Sequence, residues 1–251
     1  MSKLIYSIIS IPHGVDELSA FISKIKGIEG AELGFVQFEE VAAVTVEYHL
    51  DKLVVDKETA IDYAGVIEAL AAQYVLLPVR FGSIMDSEVR IFNMLKNSYL
   101  EIQKNLNLVA NKFEFGLKIF CDSSKLKAEL SEIAVTKVSA SVSGSENPGT
   151  SVFRDYVNKK LEIHRSEEML LTYVEVLISN IRDSCESHST VCKIRKMVSE
   201  TKLLDSFFLV EKENTENFLS GVKEIQSQYP GLNFIVTGPW PPYSFVEINL
   251  M

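Results

Sequence analysis

Several stretches of this 251-residue chain hold residue types that could do chemistry. Gly144-Ser145-Glu146-Asn147-Pro148-Gly149-Thr150-Ser151 has the spacing of a phosphate-binding loop up to its second glycine. Thr150 then stands where the lysine that reaches the terminal phosphates belongs, and Glu146 would repel an anion, so the stretch reads as a loop that starts a helix. Cys185, His188 and Cys192 are spaced i, i+3 and i+7, which would set three soft metal ligands on one face of a continuing helix. Cys185 and His188 also continue an apolar stripe, Cys192 falls in or near a strand, and no fourth ligand is close, so packing is the better reading. His164, with Glu168 four residues on, has the titration range for acid–base work, but a lone His in a helix stripe is usually packed and hydrogen-bonded. His13 and His49 fall at turns, Cys121 at a strand end, and no GxSxG, HExxH or GxGxxG occurs. No catalytic, cofactor-binding or metal-binding residue is assigned, and the expectation is a protein that is not an enzyme.

Two segments remain. Leu76-Leu77-Pro78-Val79-Arg80-Phe81-Gly82-Ser83 sets a Pro at the start of a strand and an Arg beside a Phe. Its bland account is a strand with Arg80 paired to a carboxylate and Gly82 permitting a bend. Thr237-Gly238-Pro239-Trp240-Pro241-Pro242-Tyr243-Ser244-Phe245 holds three of the seven prolines and the single Trp. Proline extends neither ladder nor helix, so this is a stiff arm whose three rings must dock to be buried.

The elements around these segments follow from periodicity. A buried strand over 3–11 precedes a helix over 15–26 that carries Leu18, Phe21, Ile22 and Ile25, ended by Gly27 and Gly30. Strands over 31–38 and 41–48 flank the turn at Glu39-Glu40, and Asp56 caps a helix with Ala60, Ala64, Ile67, Ala71 and Tyr74 on one face. A strand over 75–84 completes βαββαβ, the ferredoxin-like order. A connector helix from Asp86 places Ile91, Leu95, Ser98, Ile102 and Leu106 in phase. From Lys112 the period changes to two, with Phe113, Phe115, Leu117, Ile119 and Cys121 inward and Lys112, Glu114 and Lys118 outward. A short helix over 125–130 and a loop over 139–149 lead to a helix of about 35 residues from Ser151, near 50 Å at 1.5 Å per residue. Its stripe runs through Val157, Leu161, His164, Leu171, Val174, Ile178, Ile181 and Cys185. Strands over 191–199 and 203–211, a helix with Phe218, Val222, Ile225 and Tyr229, and a strand over 232–237 repeat the order β, α, β, β, α, β. The fold class expected is α+β in two domains: 1–110, ferredoxin-like with the connector helix, and 111–251, α+β with a long helix and the Pro/aromatic arm.

Composition narrows the function classes. With 25 Lys+Arg against 34 Asp+Glu the formal charge is −9, and the basic set Lys193, Arg195, Lys196 and Lys202 is too sparse for a nucleic-acid face. Hydrophobic residues at 47% and charged residues at 24% describe a globular chain. No run approaches the roughly 18 apolar residues of a membrane span, and residues 4–12 read as a first strand, not a signal peptide. Three cysteines cannot form a disulfide framework and fit a reducing compartment, so the cytosol is expected.

Taken together, the two segments make the chain resemble the gas vesicle accessory protein family F/L. The resemblance includes Leu4-Ile5-Tyr6-Ser7-Ile8, Leu77 through Ser83, Glu114, Gly149 through Tyr156 to Lys160, Leu209-Val210 and the closing Gly238 through Val246, and leaves out 131–148. The family pattern often has a His in the helix before the Arg-Phe-Gly segment; Tyr63 stands there in this chain. The resemblance implies a non-enzymatic minor component of gas vesicles, binding the small hydrophobic shell protein and assisting early assembly, with no cofactor and with other gas vesicle accessory proteins as further candidate partners. It also implies a ferredoxin-like first domain and a second α+β domain with a long helix. On that basis Arg80 and Phe81 are expected at the partner contact, and Trp240, Tyr243 and Phe245 are expected to fasten the two domains. The competing expectation is a small-molecule-sensing or metal-dependent regulator on the same fold.

Overall fold

A computed structural model describes residues 2–48, 56–122, 124–126, 128, 151–186, 189–196 and 201–246, giving backbone alone for 151–166, 186 and 196. The chain divides into two compact units, Met1–Phe115 with Leu209–Lys212 and Gly238–Met251, and Gly116–Phe208 with Glu213–Thr237. The class is mixed α and β, with two antiparallel sheets.

The first unit is organised by its first strand. β1 (Lys3–Ser10) is apolar on both faces, and Leu4 through Ile9 are all buried. Such a strand belongs at the centre of a sheet covered on both sides. It pairs with β3 (Val41–Glu47), with β4 (Leu76–Pro78) and with β5 (Ile84–Met85), while β2 (Leu33–Phe38) pairs with β3, for the order β2-β3-β1-β4. The single strand expected over 75–84 is thus two short ones. Gly82, at φ +87, and a turn closed by Ser83 N–H donating to Arg80 O carry residues 80–82 away from β1, between Val79, whose N–H still donates to Tyr6 O, and Ser83, whose carbonyl accepts from Ile5 N–H.

Helices α1 (Asp16–Ile22) and α2 (Lys57–Ala71) cover one face, where Leu4, Tyr6, Ile9, Val44, Val46 and Ile67 share a core. Asp56 caps α2 as expected, accepting from Thr59 N–H at 2.9 Å. The buried face of α2 is Thr59, Tyr63, Val66, Ile67 and Leu70, not the alanine stripe expected, and Ala60 is exposed. Turning the helix by about one residue, ~100°, buries Tyr63, Val66 and Leu70, which remove far more apolar surface from water than alanines do. The connector is two helices, α3 (Glu88–Asn97) and α4 (Tyr99–Val109), broken at Ser98 (φ −102, ψ 12). They pack on the sheet, α3 against β2 and β3 and α4 against β1 and β4, burying Ile91, Leu95, Ile102 and Leu106.

In the second unit the order of elements is as read. β6 (Lys112–Phe120) begins in the first unit and continues into the second, followed by α5 (Ser151–Glu186), β7 (Val191–Lys196), β8 (Lys202–Glu211), α6 (Thr215–Gln228) and β9 (Asn233–Trp240), with sheet order β7-β8-β6-β9. α5 has 36 residues, about 54 Å. In its described part the buried stripe is Leu170, Val174, Leu177, Ile181 and Cys185; Leu171, expected inward, is 52% exposed. α6 buries Phe218, Val222 and Ile225 as expected, with Phe218 against Phe208 at 5.2 Å. β9 does not stop before Gly238 but continues through Gly238 and Pro239 to Trp240. The loop 131–148, the phosphate-loop-like stretch up to Thr150, His49 and His188 lie outside the described residues, as do the side chains of Ser151, Val157, Leu161 and His164.

The two leucines of α5 separate the stripes experimentally. Leu170→Ala is expected to cost about 2–5 kcal/mol and Leu171→Ser less than about 0.5 kcal/mol, read from urea unfolding of the full chain.

Candidate functional site

Tyr63 is the polar centre of the first unit. Its ring stacks on Tyr6 at 4.7 Å and meets Phe81 at 4.8 Å, forming an aromatic column through the core. The Tyr63 hydroxyl lies 2.8 Å from the carbonyl oxygens of both Ile5 and Val79 and 3.2 Å from that of Tyr6, so its one proton serves β1 and the segment leaving β4. Tyr6 O accepts from Val79 N–H on the same segment, and the Tyr6 hydroxyl accepts from Ile28 N–H at 2.9 Å. Burial pushes the Tyr6 phenol up to about 12 and the Tyr63 phenol higher still. The two sequence-expected contact residues sit on this base. Phe81 is half-buried against the column, whereas Arg80 points outward, exposed and in no ion pair among the described residues.

A second polar anchor holds the closing arm. Glu114, expected outward from the period of β6, is 4% exposed. Its Oε2 accepts from Ser244 N–H at 2.6 Å and its Oε1 from the Ser244 hydroxyl at 2.7 Å. A buried carboxylate is tolerable when both oxygens are engaged in this way. Gly238 makes the approach possible. It has φ +120, and a Cβ there would lie 2.7 Å from Glu114 O and 3.0 Å from the Phe115 ring. The three rings of the arm fare differently. Phe245 is 3% exposed, while Trp240 and Tyr243 are 43% and 41% exposed. Burial, with Glu68 and Glu114 nearby, pushes the Tyr243 phenol up to about 12. The arm from Gly238 on belongs to the first unit.

Beside the arm runs a groove of about 670 Å³, walled by Tyr74, Phe113, Pro239 and Trp240. Lys112, Lys212 and Glu68 also line it, with Lys212 Nζ 5.0 Å from the centre of the Phe113 ring. The cysteines offer less chemistry. Burial, with Cys192 nearby, pushes the Cys185 thiol up to about 12, which keeps it protonated at neutral pH. Among the described residues no three His, Cys, Asp or Glu side chains gather as a metal site. Sequence reasoning missed Glu114 and Ser244 as a pair because 130 residues separate them, and it noticed Tyr63 only as a departure from a pattern.

The profile of the family described as "Gas vesicle synthesis protein GvpL/GvpF" matches residues 2–247. The chain belongs to the GvpL/GvpF family. It is 22% identical over 191 residues to gas vesicle protein L of a Streptomyces species, a match that covers 73% of this chain and 67% of that protein. The crystal structure of GvpF from an Anabaena species superposes with a TM-score of 0.75 at 20% identity, covering 99% of this chain and 97% of that one. GvpF from Microcystis aeruginosa gives 0.71 at 15% identity, covering 97% and 98%. At these identities the two structures speak for the fold, and the family match gives the chain an accessory role in gas vesicle formation. The Tyr63 hydroxyl ties β1 to the segment that carries Arg80 and Phe81.

Three outcomes test this geometry. Tyr63→Phe leaves carbonyls without their partner and is expected to cost about 1–3 kcal/mol in denaturant unfolding. Glu114→Ala and Ser244→Ala are expected to be non-additive, with a coupling of about 0.5–3 kcal/mol in a double-mutant cycle. Tyr6 and Tyr243 are raised from 10.0 to about 12 and Tyr63 is raised too, so the folded state keeps protons that the unfolded chain loses. The stabilisation from Tyr6 and Tyr243 is therefore full below pH 10 and lost as pH rises through 12; Tyr63, raised too, adds to the loss that begins above pH 10, so Tyr63→Phe should shrink it in thermal melts.

Proposed function

We propose that this chain is a non-enzymatic gas vesicle accessory protein of the cytoplasm that binds the small hydrophobic major shell protein and assists nucleation and assembly. In this role it keeps the shell protein from aggregating early and associates with the vesicle and its other accessory proteins. The observation that carries the reading is the family match over residues 2–247. The physical need is plain. A subunit that assembles through apolar surfaces aggregates unless those surfaces are covered until they reach a growing shell. No helix among the described residues is long and apolar enough to cross a membrane, which is compatible with a partner met in water.

We assign the partner contact to the segment around Arg80 and Phe81. Tyr63 fixes this segment from beneath, so an exposed guanidinium is presented from a rigid base and pays little ordering entropy on binding. We read both sheets as ferredoxin-like; the element order βαββαβ and the strand order second-third-first-fourth in each support this. The arm of Trp240, Tyr243 and Phe245 is read as a fastening. β9 leaves the second unit at Thr237 and enters the first at Gly238, and Ser244 and Phe245 hold the end.

One observation favours a second reading, a small-molecule sensor: the groove beside Trp240 has the volume of a ligand site and two lysines in its lining. A metal-dependent regulator would need His188 beside Cys185 and Cys192.

Co-expression with a gas vesicle major shell protein tests the first reading. A soluble complex captured by pull-down is expected, with Arg80→Glu reducing capture while the melting curve stays in place. Shell protein that aggregates as it does alone, with no capture, overturns it. Phe245→Ala is expected to lower the melting temperature clearly and Trp240→Ala only slightly; the reverse order would make Trp240 the fastening residue.

A further inference from the structure

The two edges of the first sheet are built differently. At the β4 edge, Val75 and Leu76 face the groove whose other wall carries Pro239, Pro241 and Pro242, residues that cannot donate a backbone hydrogen bond. The β2 edge has no such wall among the described residues. Among the described residues the backbone of 34–38 hydrogen-bonds to β3 and to nothing on its other side. Only its entry is closed, by the isolated bridge Lys26↔Glu32, whose side chains lie 3.6 Å apart.

Beside this edge lies a groove of about 260 Å³ between α1 and β2. Its apolar lining is Ile22 and Ile25 on the α1 side and Leu33 and Phe35 on the strand; Ser19 and Ser23 form its outer lip. Leu33 and Phe35 are two apart, and they pair with Val46 and Val44 on the core face. Together with Ile25 they pack against the core and stay partly buried at its rim. A row of unpaired N–H and C=O groups is matched only by another extended main chain, and an apolar slot on one side of that row accepts every second side chain of such a strand. This is the architecture of strand addition, in which the main chain supplies affinity and the slot supplies selectivity.

We propose that β2 and α1 form a strand-acceptor site for an extended segment with apolar side chains at alternate positions, donated by the self-associating shell subunit. The proposal rests on the proposed function for the identity of the donor; the site itself rests on the edge and the groove. A strand seated here lies about 4.8 Å from β2, continues the sheet past its open edge, and buries Ile25, Leu33 and Phe35. Arg80, beyond the opposite side of the sheet, then serves as a second and separate contact.

The test uses the full chain and a co-expressed gas vesicle major shell protein. Hydrogen exchange is followed in the free chain and in the complex, beside the variant Ser23→Trp, which fills the groove from an exposed position outside the core. Slowed exchange across 33–38 and 19–26 in the complex, with capture weakened on the order of tenfold by Ser23→Trp and an unchanged melt, is the expected result. A complex that leaves the β2 amides exchanging as in the free chain, and that Ser23→Trp does not weaken, overturns the strand-acceptor site and leaves the proposed function standing. Protection of 33–38 in the chain alone, accompanied by a dimer mass in light scattering, overturns it in favour of a second copy as occupant. Absence of any complex removes the donor and the proposed function together.

Discussion

A strand with no solvent side governs the first unit. Leu4 through Ile9 are buried without interruption, so β1 demands neighbours on both edges and apolar cover on both faces. Each later element of the unit meets part of that demand. The β2–β3 hairpin takes one edge, β4 and β5 take successive stretches of the other, α1 and α2 supply one face, and α3 and α4 supply the second. The split of the expected strand over 75–84 into two pieces follows as well: with both pieces paired to β1, and Val79 and Ser83 still hydrogen-bonded to it, the turn at 80–82 carries Arg80 outward.

Within so apolar a setting, the few buried polar groups decide which segments are held and where. The Tyr63 hydroxyl is surrounded by backbone carbonyls of β1 and of Val79, so a displacement of the Arg80-Phe81 segment would leave polar groups unpaired in the core. Glu114 does the same for the arm. Its two oxygens take both donors of Ser244, and Gly238 removes the side chain that would otherwise collide with the Glu114 backbone. Both anchors serve the surface. One fixes the base of an exposed arginine, and the other fixes an arm that walls a groove and guards one sheet edge.

An open sheet edge is a hazard unless it is blunted or used. Exposed edges template pairing with other chains, and proteins commonly blunt them with charge, proline or cover. Here the β4 side faces prolines, while among the described residues β2 has an ion pair at its entry and no prolines beside it.

Local pattern carried much of this protein. The element order, the Asp56 cap, the inward face of α6 and the run of β1 are all legible in spacing, because each depends on residues within one or two turns of one another. The resemblance to the GvpL/GvpF family was likewise legible in two short motifs, since those residues are adjacent in the chain. What failed was every question settled by a neighbour far off in sequence. The face of α2 was decided by the volume that Tyr63, Val66 and Leu70 fill against β1, and the inward turn of Glu114 by a serine 130 residues away. Alternation in a strand says which side chains share a face but not whether a distant arm will close over that face. The open edge of β2 belongs to the same class: hairpin signals predict that β2 and β3 pair, and only the assembled sheet decides which strand is left at its border and what stands beside it.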